Sequence, residues 1–188
     1  MAWTARNGYL TQAEMEGNAT MAANYFANQS WTLNAICAML GNMQAESGIN
    51  PGIWENLDPY NGGYGLTQWT PYTKLSDWAD TEGLPWLNDG TTQCKRIDYE
   101  SVNNLQWFYN AELGLAPPIT FLQFSTSHLD LNTLSNYFLW FYEHPADPGP
   151  ATQAVRQANA QAWWTFFGGG ATQIPPWLLF KFNEWRRK

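Results

Sequence analysis

Few side chains in this sequence are equipped for catalysis, so the chemistry open to it is narrow. There is no His-Glu-x-x-His zinc motif, no Cys-x-x-Cys pair, no Gly-x-Ser-x-Gly elbow and no phosphate-cradling glycine loop; only two histidines, His128 and His144, occur. Metal and serine-nucleophile chemistries lack their parts, and we expect neither metal nor cofactor. A Cys–His hydrolase built from Cys37 with His128 or His144 is formally available. A nucleophilic thiolate needs an electropositive, accessible setting, however, and Cys37 sits among Ile36, Met39 and Leu40. Carboxylate chemistry remains.

The carboxylate in the most telling context is Glu46, within NMQAESGINPG at 42–52. Taken alone, a glutamate near a helix end is an ordinary solvated residue. Here Leu33, Ile36, Cys37, Leu40 and Met43 recur at helical spacing, and Glu46 falls at the margin of that stripe, where core meets surface. The negative end of the helix dipole and partial desolvation both disfavour a charge there, which predicts a raised pKa. A protonated carboxyl near neutral pH is what a general acid needs to protonate a leaving oxygen. A second stretch, GGYGLTQWTP at 62–71, alternates small residues with Tyr64, Gln68 and Trp69, which offer stacking faces and an amide to a sugar; a plain hairpin has the same look.

The elements that must position these residues are mostly helical. Thr11 and Glu14 have capping-box spacing, Leu10 and Met15 are placed for a hydrophobic staple, and a helix over about 12–27 follows. The Glu46 helix starts after Ser30 or Thr32 and is stopped by Gly48 and Asn50-Pro51-Gly52. Residues 53–69, with Tyr60-Asn61-Gly62-Gly63 at their centre, suit a β-hairpin or irregular flap. Helical patterns resume at about 74–82, 92–110, 119–126, 131–143 and 151–167, the last with Pro150 near its first turn. The expected fold class is α+β, predominantly α-helical, with one small β-hairpin or flap.

Charge and composition exclude several partners. The net charge is −7, but four of nine basic residues lie in the last eight positions; the first 180 residues hold five basic and fifteen acidic residues, or −10. Such a body repels phosphate backbones, so nucleic acid is not an expected ligand. No apolar run is long enough for a transmembrane segment, and no apolar h-region follows Arg6, so neither a membrane span nor a signal peptide is expected. Cys37 and Cys94 read as buried small hydrophobes rather than a disulfide framework. Twelve Trp and nine Tyr serve core packing first, and their flat faces also permit a glycan ligand.

Together, AESGINPG and GYGLTQWTP resemble the phage tail-tip lysozyme family of peptidoglycan-degrading domains, and are more distantly similar to goose-type lysozymes and lytic transglycosylases. The likeness runs from about Tyr9 to Phe167 and takes in AICAMLGNMQAES, GLPW and YEHPADPG, with His144 standing where a basic residue such as Arg is expected. It implies a lysozyme-like fold over 1–167 and cleavage of the MurNAc–GlcNAc strand of bacterial peptidoglycan, with Glu46 as the catalytic acid. A second carboxylate is not fixed by the resemblance. Asp58 is the first candidate and Glu55 the next, although both also read as exposed loop acids. An inverting enzyme would place the water-activating carboxylate about 6.5–9.5 Å from the acid, and a retaining one its nucleophile at about 5 Å. With neither present, a lytic transglycosylase forming a 1,6-anhydro product is the alternative.

Tyr64, Gln68, Trp69 and Tyr142 are the candidates for lining the cleft, with a core role open for Trp69 and Tyr142. The Tyr142 hydroxyl is a candidate for orienting the Glu46 carboxyl, with packing within the stretch Tyr137–Tyr142 the equal alternative. Beyond Gly168–Gly170 the chain turns apolar and basic, and residues 174–188 are expected to dock the domain onto other phage tail proteins in the virion. Release as an endolysin, or a catalytically silent glycan-binding or structural module, are the competing readings.

Overall fold

Thr11 and Glu14 close a capping box, each side chain bonded to the other's backbone, and open helix α1 (Gln12–Asn28). This is the first element of a predominantly helical structure, a computed structural model that describes residues 2–169. The docking segment expected at 174–188 lies outside the described residues.

Helix α2 (Leu33–Ser47) starts at Thr32, whose hydroxyl accepts the Ala35 N–H. Its residues from Ala35 to Met43 are all buried, which makes it the central element. Around it pack α1, α5 (Phe121–Ser125), α6 (Leu131–Phe138) and α7 (Pro150–Phe166), while α3 (Thr73–Thr81) and α4 (Gly90–Val102) form a second group joined to α1 and α5. The approach of α7 to α2 is unusually close at Gly41. A Cβ there would lie 2.6 Å from the Ala160 nitrogen and 2.7 Å from the Arg156 carbonyl oxygen, so only glycine lets the two backbones meet.

Three expectations need correction. Helix α4 ends at Val102 instead of running to 110, because Asn103 caps it and Asn104 and Gln106 adopt left-handed conformations (φ 50° and 53°). The Asn104 side chain then accepts the Phe121 N–H and fixes the start of α5. The helix expected over 131–143 is regular only to Phe138; Leu139–Glu143 form one wider π turn that stops at His144, itself left-handed. Finally, the 53–69 segment makes isolated bridges, Trp54 with Tyr64 and Tyr64 with Trp69, and no strand ladder forms among the described residues. Left-handed residues at Asn56, Leu57, Tyr60 and Gln68 interrupt it, so an irregular flap results.

Stacked and edge-on rings of Trp54, Tyr60, Tyr64, Tyr72 and Trp86 hold the flap in place of a ladder. Cys37 and Cys94 are free thiols with no exposed surface, and burial pushes both upward from the ordinary thiol range.

Candidate active site

The polar residues of NMQAESGINPG act as fasteners around Glu46. Gly48, left-handed at φ 63°, ends α2; its own N–H turns back onto the Gln44 carbonyl and the Ile49 N–H onto that of Met43. The Ser47 hydroxyl lies 2.8 Å from the Leu66 carbonyl oxygen and ties the helix end to the flap. Asn50 donates to the carbonyls of Arg6 and Gly8 and accepts the Gly52 N–H, which pins the N-terminal arm to the same spot. Buried Gln93 of α4 completes the clamp, accepting the Leu66 N–H at 2.8 Å and donating to the Pro51 carbonyl at 2.7 Å. The glycines and Asn-Pro that follow Glu46 thus gather three chain segments at the end of its helix.

Glu46 faces a cavity of about 620 Å³ between the flap and the π turn. Its side chain is 22% exposed and forms an ion pair with Arg156 of α7, itself 8% exposed. Arg156 also donates to the Asn42 carbonyl at 2.7 Å, so its guanidinium is held against α2 at two points. The close contact at Gly41 is what brings it there.

A second glutamate, Glu143, lines the same cavity from the end of the π turn. Its Oε1 is buried without a hydrogen-bond partner among the described residues. Burial, then the Glu46 charge, pushes its carboxyl well above the usual carboxylate range, with Arg156 opposing. Beneath the cavity lies Glu100 of α4, fully enclosed, which accepts from Trp69 Nε1 (3.2 Å), Arg96 Nε (2.8 Å) and the Tyr142 hydroxyl (2.6 Å). Burial raises Glu100, with Arg96 and the hydrogen bonds working against it, and the Tyr142 hydroxyl is pushed far up by burial and then by the Glu100 charge.

The predicted site residues divide accordingly. Glu46, Glu55, Gln68, Trp69 and Tyr142 all line the cavity. Glu55 is committed on one oxygen to the Gly63 N–H, and the Gln68 amide donates to the Ile53 and Gly65 carbonyls within the flap. Trp69 and Tyr142 are almost wholly buried and offer the cavity little surface, and the Tyr142 hydroxyl is spent on Glu100 rather than on Glu46. Tyr64 is not among the lining residues: it is fully buried in the aromatic cluster, its hydroxyl bonded to Asn88. Asp58 is outside the cavity too, exposed at the end of the short 3₁₀ turn Glu55–Leu57 and accepting from Asn61. His144 and Lys74 add positive or titratable groups to the wall.

Sequence reasoning missed Arg156 and the carboxyl of Glu143. Both left a trace. Arg156 is the one basic residue between Arg96 and Lys181, and Glu143 sits in the quoted YEHPADPG, where its aromatic neighbours drew attention to packing.

A central helix that ends in a half-buried carboxylate, roofed by a flap and facing a groove, is compatible with a lysozyme-like module. The family comparison is consistent with that. The chain belongs to the phage tail lysozyme family, whose model matches residues 17–167. It is 45% identical over 173 residues to Morphogenesis protein 1 of Bacillus phage B103, a match that covers 90% of this chain and 45% of that protein. The chain thus spans less than half the length of this relative. Among the described residues no helix is long and apolar enough to cross a membrane, and no cluster of His, Cys, Asp or Glu is arranged to hold a metal.

Proposed function

We propose that this chain is a virion-associated peptidoglycan hydrolase of a phage, a lysozyme-like fold with an irregular flap that cleaves the MurNAc–GlcNAc strand to open the wall during genome delivery. The observation that carries the reading is the cavity of about 620 Å³ with Glu46 set at its edge on the end of the core helix. It has the size of a small-ligand site and takes a few sugar units. Glu46 protonates the glycosidic oxygen as the bond to the anomeric carbon breaks, and the electron pair of that bond passes to the oxygen. Gln68, Trp69 and Tyr142 shape the wall against which the sugar rests. Residues 174–188 dock the domain onto other tail proteins, which keeps an acidic enzyme at high local concentration against an anionic wall.

Mass spectrometry of digested, purified wall is the test. Reducing-end muropeptides support hydrolysis, and 1,6-anhydro ends assign the chain to the lytic transglycosylases instead. Absence of any glycan cleavage, or near-normal cleavage by Glu46→Gln, overturns the reading.

A further inference from the structure

We propose that Tyr9 forms a further sugar-binding subsite, a ring on the N-terminal arm that stacks on a pyranose of the glycan strand beyond the units held in the cavity. The inference rests on the hydrolase reading and deepens it. Tyr9 lines the same cavity as Glu46, yet it is 80% exposed. It therefore stands at the open rim. Tyr60, Tyr99 and Tyr109 are also exposed, but none of them lines the cavity. Tyr60 rests on Trp54 and Tyr72, and Tyr99 on Trp78. Among the described residues no ring stacks on Tyr9 and no group bonds to its hydroxyl. That leaves its face to a ligand.

A ring on a loose arm would lose much of its binding energy to ordering, but this arm is fixed. Asn7 bridges it to the flap, donating to the Leu57 carbonyl at 2.9 Å and accepting the Trp54 N–H at 3.1 Å. Asn50, just past the end of α2, donates to the Arg6 and Gly8 carbonyls at 2.9 and 2.7 Å. The Arg6 guanidinium then closes back on the Tyr9 carbonyl at 2.9 Å while paired with Glu14 of α1. At Gly52 a Cβ would lie 2.6 Å from the Arg6 nitrogen, so the arm runs where only glycine lets it pass. The Tyr9 backbone is thus tied to the flap, to the turn after α2 and to α1. Leu57, whose carbonyl Asn7 holds, is exposed and lines the cavity as well. One asparagine therefore links an aromatic and an aliphatic contact at the same cavity.

A glycan strand is far longer than a cavity of about 620 Å³, so its sugars continue past the opening. A pyranose presents C–H groups on its faces and hydroxyls around its edge. Tyrosine matches both, with a flat apolar face and a hydroxyl at the tip. A GlcNAc ring carries no charge, so a contact of this kind draws no penalty from the acidic body. Tyr9 holds the strand in the same way before and during bond cleavage, and such uniform binding lowers KM without raising kcat.

The test is the kinetics of the whole chain on peptide-free glycan strands prepared from purified wall, with thermal melting alongside. Tyr9→Ala should raise KM about tenfold with kcat held within about twofold, the signature of lost uniform binding. The thermal midpoint should stay where it was, because the ring is exposed. Tyr9→Phe and Tyr9→Trp keep a flat face and should hold KM within about threefold of the parent. Fluorescence titration of the same strands into Glu46→Gln, with and without Tyr9→Ala, reads the loss of affinity without turnover. An unchanged KM in Tyr9→Ala, a fall confined to kcat, or a Tyr9→Phe chain as poor as Tyr9→Ala overturns the subsite. So does a variant that binds glycan normally but is lost from assembled virions, which would make Tyr9 a contact for a tail protein. The two claims separate: a parent that leaves the strands uncut defeats the hydrolase reading itself, while an active parent beside a Tyr9→Ala chain of equal KM defeats only the subsite.

Discussion

Gly41→Ala is the most economical test of how the site is held. The added Cβ would meet backbone only, at 2.6 Å from the Ala160 nitrogen, 2.7 Å from the Arg156 carbonyl oxygen and 2.8 Å from the Ala160 Cα. Reaching ordinary contact requires α7 to retreat by about 0.8 Å, since carbon contacts are comfortable near 3.5 Å. Overpacking of this kind costs about 1–3 kcal/mol, and the backbone nature of the neighbours puts this case in the upper part of the range. Alanine recovers about 1 kcal/mol of helix propensity relative to glycine. The net loss of about 1–2 kcal/mol lowers the thermal midpoint by roughly 2–8 °C in a chain of this size.

Because Arg156 is one of the residues displaced, activity should fall further than stability does. A misplacement near 1 Å costs up to about 100-fold, and we expect at least about tenfold on purified wall well below the melting point. Adding Ala160→Gly should not rescue the variant, since the Ala160 atoms in the way are main chain. A Gly41→Ala protein that melts higher and cleaves normally would refute both the close contact and its role in presenting Arg156.

Three further outcomes follow from the geometry. Tyr142→Phe removes the donor to Glu100 Oε2, a buried bond to a charged group, and should cost about 2 kcal/mol; a variant as stable as the parent would deny the buried network. Asp58→Asn should lower activity by less than about tenfold, or some 1.4 kcal/mol, because the residue stands outside the cavity; a larger fall would return it to the chemistry. Stability should rise as pH is lowered from 8 toward about 5, because Glu143 and Glu100 titrate higher folded than unfolded and the folded chain therefore retains protons that the unfolded chain releases. Below about pH 4 the trend reverses as Glu14 and Asp130, both lowered by their hydrogen bonds, are protonated. Melting curves at constant ionic strength check the sign, and a midpoint that climbs steadily from pH 5 to 8 contradicts it.

Much of this arrangement was legible before any coordinates, and the parts that were not share one cause. Local signals carried the capping box at Thr11, the stop at Gly48 and the apolar stripe of α2, because each depends on neighbours within a few residues. Asn104, Gln106 and the π turn escaped because a periodic apolar pattern continues through them while the backbone does not. Arg156 and Glu46 are 110 residues apart in sequence, and no spacing rule joins them. The same holds for Glu100, whose three partners come from the flap, its own helix and the π turn. Tyr64 was misjudged for a different reason: an aromatic ring beside glycines suits a sugar platform and a buried brace equally well, and tertiary packing decided for the brace.

The late position of Arg156 has a consequence for synthesis. Glu46 leaves the ribosome 110 residues before its partner, a delay on the order of ten seconds at ordinary rates of elongation. During that interval α2 lacks the helix that packs most closely on it, so the acid end of the groove has neither its counter-charge nor a fixed wall. The nascent chain therefore carries an unfinished site until α7 emerges, and the Glu46–Arg156 pair comes into being only when that helix docks. A chain truncated before residue 150 would lack both Arg156 and the packing of α7 on α2, so the surroundings of Glu46 depend on elongation through α7.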